Sequence, residues 1–101
     1  MVGTRRPFSV TIEIKVDLAR IPAKPPLVAL ADVTLRFLET DITIRRCAVF
    51  EKSGQPPWAS LPKIPIARNG KRNYVPIIEL GRDLQRRVLD AVLFEFGRQS
   101  R

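Results

Sequence analysis

Three cations crowd one turn. In "ARNGKRNYVPII" (67–78), Arg68 precedes Asn69-Gly70, and Lys71 and Arg72 follow it. An Asn-Gly pair between apolar runs is a strong short-range hairpin signal. No acidic residue lies within the turn to neutralise the three charges. Two kinds of chemistry fit. Arginine and lysine flanking a turn can straddle a phosphate backbone, with Tyr74 or Trp58 available to stack on bases. Alternatively, the cations guard an exposed edge strand against unwanted pairing. The surrounding stretch is also basic. Lys63, Arg68, Lys71, Arg72, Arg82, Arg86 and Arg87 fall within residues 63–87, opposed there by Glu79 and Asp83. Asp83–Arg87 and Arg86–Asp90 are spaced i,i+4, so part of this charge is expected to stabilise a helix surface.

Other chemistries find no residues to carry them. The chain has no histidine, which excludes a histidine triad, a histidine general base and a histidine metal site. Its one cysteine, Cys47, excludes an intramolecular disulfide and a cysteine-rich zinc site. Cys47 lies in an apolar-flanked strand and is expected to be a core residue, since a reactive thiolate needs an activating base. Glu39 and Asp41 flank Thr40 in what the sequence marks as a turn, where such residues serve the backbone. The glycines form no phosphate-cradling loop. A non-enzymatic protein without cofactor, metal or small-molecule substrate is expected.

The formal net charge of +8 points to nucleic acid, an anionic membrane surface or an acidic protein as partner. No apolar run approaches the roughly 18 residues needed to span a bilayer. The "MVGTRRPF" start lacks the apolar middle of a signal peptide, and a lone cysteine suits a reducing compartment. A cytoplasmic protein with no membrane partner is the simplest expectation. The length of 101 residues predicts one domain, over 1–101.

The elements that must position the basic residues follow from periodicity. "FSVTIEIKVDL" (8–18) alternates apolar and polar residues, which predicts a half-buried antiparallel strand. "ARIPAKPPL" (19–27) carries three prolines and reads as a loop. "VALADVTLRFL" (28–38) predicts a second strand, with Ala29, Ala31, Val33, Leu35 and Phe37 on one face. "ETD" (39–41) reads as a polar turn. "ITIRRCAVFEK" (42–52) predicts a third strand whose alternation slips at Arg45-Arg46, the mark of a bulge. After the "SGQPP" loop (53–57), "WASL" (58–61) is a short strand interrupted by "PKIP" (62–65). "IAR" and "RNYVPII" then flank the Asn-Gly turn, with Pro65 and Pro76 favouring an edge or irregular ladder.

From about Leu80 the period becomes helical. Leu84, Val88, Ala91 and Val92 form one stripe, and Leu89, Leu93 and Phe96 a second. A helix with one buried face shows an apolar stripe little wider than about 100°, so this helix has more apolar surface than one sheet should cover. Leu84, Val88, Leu89, Val92, Leu93 and Phe96 are therefore expected at a homodimer interface. Gly97 reads as the helix stop, with a fraying tail behind it. The expected fold class is α+β: an antiparallel meander of about five strands followed by a C-terminal helix.

From residue 28 onward the chain resembles the SpoVG family (stage V sporulation protein G, or septation protein SpoVG). "VALADVTL" looks like the family's "A-x-A-x-I-T-L" strand. "FLETDITIRRC" is similar to its "F-V-V-x-D-I-R-V" segment, with Asp41 and Ile42 matching. "WASLP" resembles "F-V-A-M-P", with Pro62 in place. "ARNGKRNYVPI" resembles a basic turn followed by "x-H-P-I". "LDAVLFEF" looks like the C-terminal "Q-D-A-V-L-x-E-Y", with Asp90, Ala91, Val92, Leu93 and Glu95 matching. Thr40 and Val75 stand where the family carries histidines, and "PKIP" replaces "P-S-K-R". The resemblance implies a small homodimer with an antiparallel sheet and a C-terminal helix. It implies site-selective binding of DNA and RNA in bacterial gene regulation, with links to cell division, septation and sporulation. The matching basic positions are Lys63, Arg68, Lys71, Arg72, Arg82, Arg86 and Arg87. The competing expectation is a basic interaction module that docks an acidic protein of the division machinery.

Overall fold

The structure is a computed structural model that describes residues 11–22 and 26–99. Four strands run β1 (Glu13–Arg20), β2 (Leu27–Phe37), β3 (Thr40–Phe50) and β4 (Trp58–Ser60). They form one sheet in the order β1-β2-β3-β4, all antiparallel. Strands β5 (Lys63–Arg68) and β6 (Lys71–Pro76) form a separate two-stranded sheet, and α1 (Arg82–Gln99) closes the fold. The class is α+β, with antiparallel sheets and one C-terminal helix.

The alternation in β2 sets the core. Ala29, Ala31, Val33 and Leu35 are buried on one face, and Leu18, Ile44, Cys47, Val49 and Leu61 join them. Helix α1 lays Val88, Val92 and Phe96 onto this face. Full burial of a side chain of this kind stabilises by roughly 1.5–3 kcal/mol. The expected bulge in β3 is present. Val33 pairs with Ile44 and Ala31 with Cys47, so β3 carries one extra residue at Arg45-Arg46. Arg46 takes a left-handed φ of 67°. Asp32 clamps the bulge: Arg46 N–H donates to its Oδ1 (3.2 Å) and Arg45 Nη1 to its Oδ2 (2.9 Å).

Two long-range clasps fix α1. Arg20 Nη2 donates to the Phe96 carbonyl at 3.3 Å, with the guanidinium 4.1 Å above the Phe96 ring centre. A cation at a helix C-terminus also meets the negative end of the helix dipole. Near the other end, Arg87 Nη2 donates to the Ile12 carbonyl at 2.9 Å.

Several expectations need correction. Among the described residues there are six strands in two sheets rather than one meander of about five. The first strand reaches Arg20, and residues 8–10 of the expected span lie outside the described residues. The turn after β2 is Leu38-Glu39, so Asp41 belongs to β3. The "WASL" strand stops at Ser60 and the chain leaves strand structure at Leu61-Pro62, but "PKIP" is mostly strand, because β5 starts at Lys63 and includes Pro65. Helix α1 passes through Gly97 to Gln99, while residues 100–101 lie outside the described residues. Glycine lowers helix propensity without forbidding helix, and Arg98 pairing with Glu95 and Gln99 bonding to Glu95 hold the last turn. Among the described residues no helix is long and apolar enough to cross a membrane.

Candidate nucleic-acid interface

The β5–β6 hairpin is built from its turn. Asn69 and Gly70 both have positive φ, 54° and 75°, the signature of a type I′ turn. That turn matches the twist of the strands it joins, which is why the Asn-Gly pair forms a tight hairpin here. The register follows: Arg68↔Lys71, Ala67↔Arg72, Ile66↔Asn73, Pro65↔Tyr74, Ile64↔Val75 and Lys63↔Pro76. Directly paired residues share a face, and successive pairs alternate. One face therefore carries Arg68 and Lys71 at the tip, then Ile66 and Asn73, then Ile64 and Val75. The other carries Ala67 and Arg72, then Pro65 and Tyr74, then Lys63 and Pro76.

The prolines fit this register. Counting from the turn, hydrogen-bonded and non-hydrogen-bonded pairs alternate, and Pro65 and Pro76 both fall on non-hydrogen-bonded pairs. A residue there would aim its N–H away from the partner strand, so neither proline costs a ladder bond. Pro65 also removes a donor from the open edge of β5, which hinders a further strand from adding there.

The hairpin stands apart as an arm. Among the described residues it packs against no other element. One backbone bond, Ile77 N–H to the Pro62 carbonyl at 3.2 Å, closes its base. The radius of gyration is 16.5 Å, against about 13 Å for a compact chain of 100 residues. Lys63, Arg68, Lys71 and Arg72 are all exposed. Among the described residues none of the four forms an ion pair or side-chain hydrogen bond. Residues 63–76 hold four cations and no acid, so half of the net charge of +8 sits on this arm.

The helix cations are placed differently. Arg86 pairs with Asp83 at 3.3 Å, an i,i+3 contact in place of the expected i,i+4 pairs. Arg87 is committed to the Ile12 carbonyl. Arg82 is exposed beside a shallow cleft lined by Leu80, Gln85, Leu89 and Asp90. The structure thus brings Lys63, Arg68, Lys71 and Arg72 together on the arm and leaves Arg82, Arg86 and Arg87 on a separate element.

The outer face of the four-stranded sheet is polar and carries charges of both signs. Arg36 holds Asp41 through two bonds of 2.9 and 3.2 Å, and Thr34 and Thr43 share a bond of 3.1 Å. The hydrogen bond from Arg36 holds the Asp41 carboxyl below its ordinary pKa. Lys15, exposed beside Glu13 in the cleft that this pair lines, is a cation of that face that the Arg36–Asp41 pair does not engage.

The two aromatics proposed for stacking also diverge. Trp58 is already stacked on Phe50, ring centres 5.4 Å apart. Tyr74 lies on the arm and is 62% exposed. The structure also shows Phe94, 72% exposed on the outer side of α1, which periodicity does not single out because it belongs to neither apolar stripe. Cys47 is fully buried, and burial chiefly pushes its thiol up to about 11, so it is protonated at neutral pH.

The helix residues expected at a dimer interface divide into two groups. Val88, Val92 and Phe96 are spent on the chain's own core. Leu84, Leu89 and Leu93 are half-buried against that core. Among known proteins, no family model, no curated protein and no solved structure matches this chain.

Proposed function

We propose that the protein is a non-enzymatic nucleic-acid-binding regulator of the SpoVG type, acting in the cytoplasm as a homodimer. The β5–β6 arm is its main contact with phosphate. One observation carries this reading: among the described residues, four exposed cations with no acid among them and no partner sit on an arm that packs against no other element. Pro65 already hinders strand addition at the edge of β5, so edge protection alone does not call for so many cations. The ordered motifs between Val28 and Phe96 support the SpoVG type, and with it a role in gene regulation linked to septation and sporulation.

Two surfaces support the homodimer. A lone two-stranded hairpin is marginally stable at best in water, and this one leaves Ile64 and Ile77 exposed near its base. Leu84, Leu89, Leu93 and Phe94 offer a second surface with incomplete cover. A second copy can cover both. Leu93→Arg is expected to give monomers or aggregate, and a monomer mass for the native protein in concentrated solution, by light scattering, would remove the dimer.

The test of function is a salt titration of binding to mixed-sequence DNA. Log affinity should fall linearly with log salt, at about 0.9 per phosphate contact on duplex. No detectable binding at low salt would transfer the arm to an acidic protein partner.

A further inference from the structure

We propose that the arm enters the major groove of B-form DNA as a two-stranded ribbon, with the Arg68–Lys71–Ile66–Asn73 face toward the base edges. This rests on the nucleic-acid reading above and names the form of nucleic acid that the arm fits.

Shape is the first argument. The major groove of B-DNA is about 12 Å wide and 8.5 Å deep, and it admits a two-stranded ribbon. Strands in such a ribbon lie about 4.8 Å apart, and six residues extend about 20 Å. Each strand of the arm has six residues. Entry into a groove also requires both faces to be clear of the protein body, and among the described residues the arm packs against no other element.

Other forms of nucleic acid fit less well. A-form RNA has a deep, narrow major groove that side chains cannot read. Single strands are bound by grooves in which successive bases stack on several aromatic side chains. The arm has one aromatic, Tyr74, and the other stacking candidate, Trp58, is engaged with Phe50.

Face chemistry gives the orientation. Arg68 and Asn73 lie diagonally across the ribbon on one face, since Arg68 pairs with Lys71 and Asn73 is two residues on. Diagonal neighbours stand about 7–8 Å apart, close to two base steps of 3.4 Å. Arginine matches guanine O6 and N7, and asparagine matches adenine N6 and N7, each with two bonds. Ile66, beside Asn73, can meet a thymine methyl. The opposite face holds no asparagine. It holds Arg72 and Lys63, whose long side chains suit the flanking phosphates and fix position without reading bases. The Asn69-Gly70 turn sets this arrangement before binding.

The experiment compares a mixed-sequence DNA duplex, the same sequence as single-stranded DNA, and the same sequence as RNA duplex, all with the native protein. The DNA duplex should bind roughly tenfold or more tightly than either alternative, a difference of about 1.4 kcal/mol or more. Methyl green, which occupies the major groove, should displace the protein, and netropsin, a minor-groove ligand, should not. Selection from a random duplex pool should yield a sequence preference that weakens with Asn73→Ala while the salt slope is kept. Arg72→Ala should instead flatten that slope by about 0.9 for each phosphate it no longer reaches. Equal or tighter binding to single strands or RNA duplex, or displacement by netropsin alone, overturns the groove assignment while leaving nucleic-acid binding intact. No binding to any of the three at low salt overturns both.

Discussion

The four-stranded body and the β5–β6 arm are both antiparallel, yet opposite physical terms shape them. In the body, side chains of β2, β3 and α1 bury one another, and two arginines of the sheet are ion-paired with aspartates. In the arm the backbone pairs regularly, but among the described residues no other element packs on it, and every charge has the same sign. Order in the body comes from burial. Order in the arm comes from turn geometry and ladder bonds alone. A region that is regular but uncovered and like-charged is unfavourable for an isolated chain, so the arm's sequence makes sense with a partner.

The largest way to probe this contrast is to attack the body. Phe96→Ala removes a buried ring, and with it the stacking of Arg20 on that ring, and should cost about 3–5 kcal/mol in chemical denaturation. A loss below about 1 kcal/mol would mean that this core is not what holds the helix to the sheet. The matching attack on the arm should leave stability alone. Replacing Arg68, Lys71 and Arg72 with alanine should flatten the salt slope of duplex binding by about 0.9 for each phosphate that goes unmet. The weakening should be roughly uniform across sequences where the contacts are to phosphate, and the melting temperature should hardly move, since exposed substitutions usually fall within about 0.5 kcal/mol. If the triple variant binds as tightly as the native protein with the same slope, the binding surface must be sought on α1.

Gly70→Ala tests the turn itself. At φ 75° a β-carbon is strained though it meets no neighbour, and a left-handed residue costs about 1–2 kcal/mol. Amide exchange should quicken over residues 63–76 and stay unchanged in β2 and β3. Uniform quickening across both regions would show that arm and body unfold together.

Cys47→Ala should cost roughly 1–2 kcal/mol through poorer packing and leave nucleic-acid binding unchanged. The thiol has its folded pKa raised above 9.0, to about 11. Its contribution is therefore complete below about pH 9 and is lost as pH rises toward 11. The native protein should lose stability across that window by more than Cys47→Ala does. Identical alkaline profiles would place the thiol in solvent.

The smallest effect concerns the exposed Arg36–Asp41 pair. The folded pKa of Asp41 is lowered, so any stability from the pair is present above about pH 4 and is lost as pH falls through the lowered value. Asp41→Asn should leave the neutral-pH denaturation midpoint essentially where it is, as an exposed pair contributes little, and leave binding untouched.

Much of the body is legible from the chain because burial writes itself as a period. The alternation Ala29, Ala31, Val33, Leu35 names the core face of β2, and the slip at Arg45-Arg46 names the bulge. The turn at Asn69-Gly70 is equally legible, since left-handed pairs have few residue solutions. What the pattern does not encode is whether a hairpin packs on its neighbours. Ile64, Ile66 and Val75 look like core residues in sequence, and only the three-dimensional placement shows Ile64 exposed and the other two half-buried. Partners across long separations are hidden too. Nothing local says that Arg87 will bind the Ile12 carbonyl instead of Asp83, or that Arg20 will sit on Phe96. Helix continuation through Gly97 is equally hidden, because there a weak local propensity yields to tertiary packing and to the Glu95 contacts.

The clasp between Arg20 and Phe96 also has a consequence in time. These residues are 76 positions apart, and Arg87 and Ile12 are 75 apart. Strands β2 and β3, by contrast, meet across the Leu38-Glu39 turn, and hairpins of this kind form in about 1–10 μs. Closing a long loop costs entropy before its contacts return any, so the β2–β3 pair is expected to assemble first and the helix to dock last. Pulse-labelled hydrogen exchange during refolding should protect the amides paired between β2 and β3 before those of α1. Simultaneous protection would place the clasp inside the folding nucleus, and Arg20→Ala would then slow folding as well as hasten unfolding.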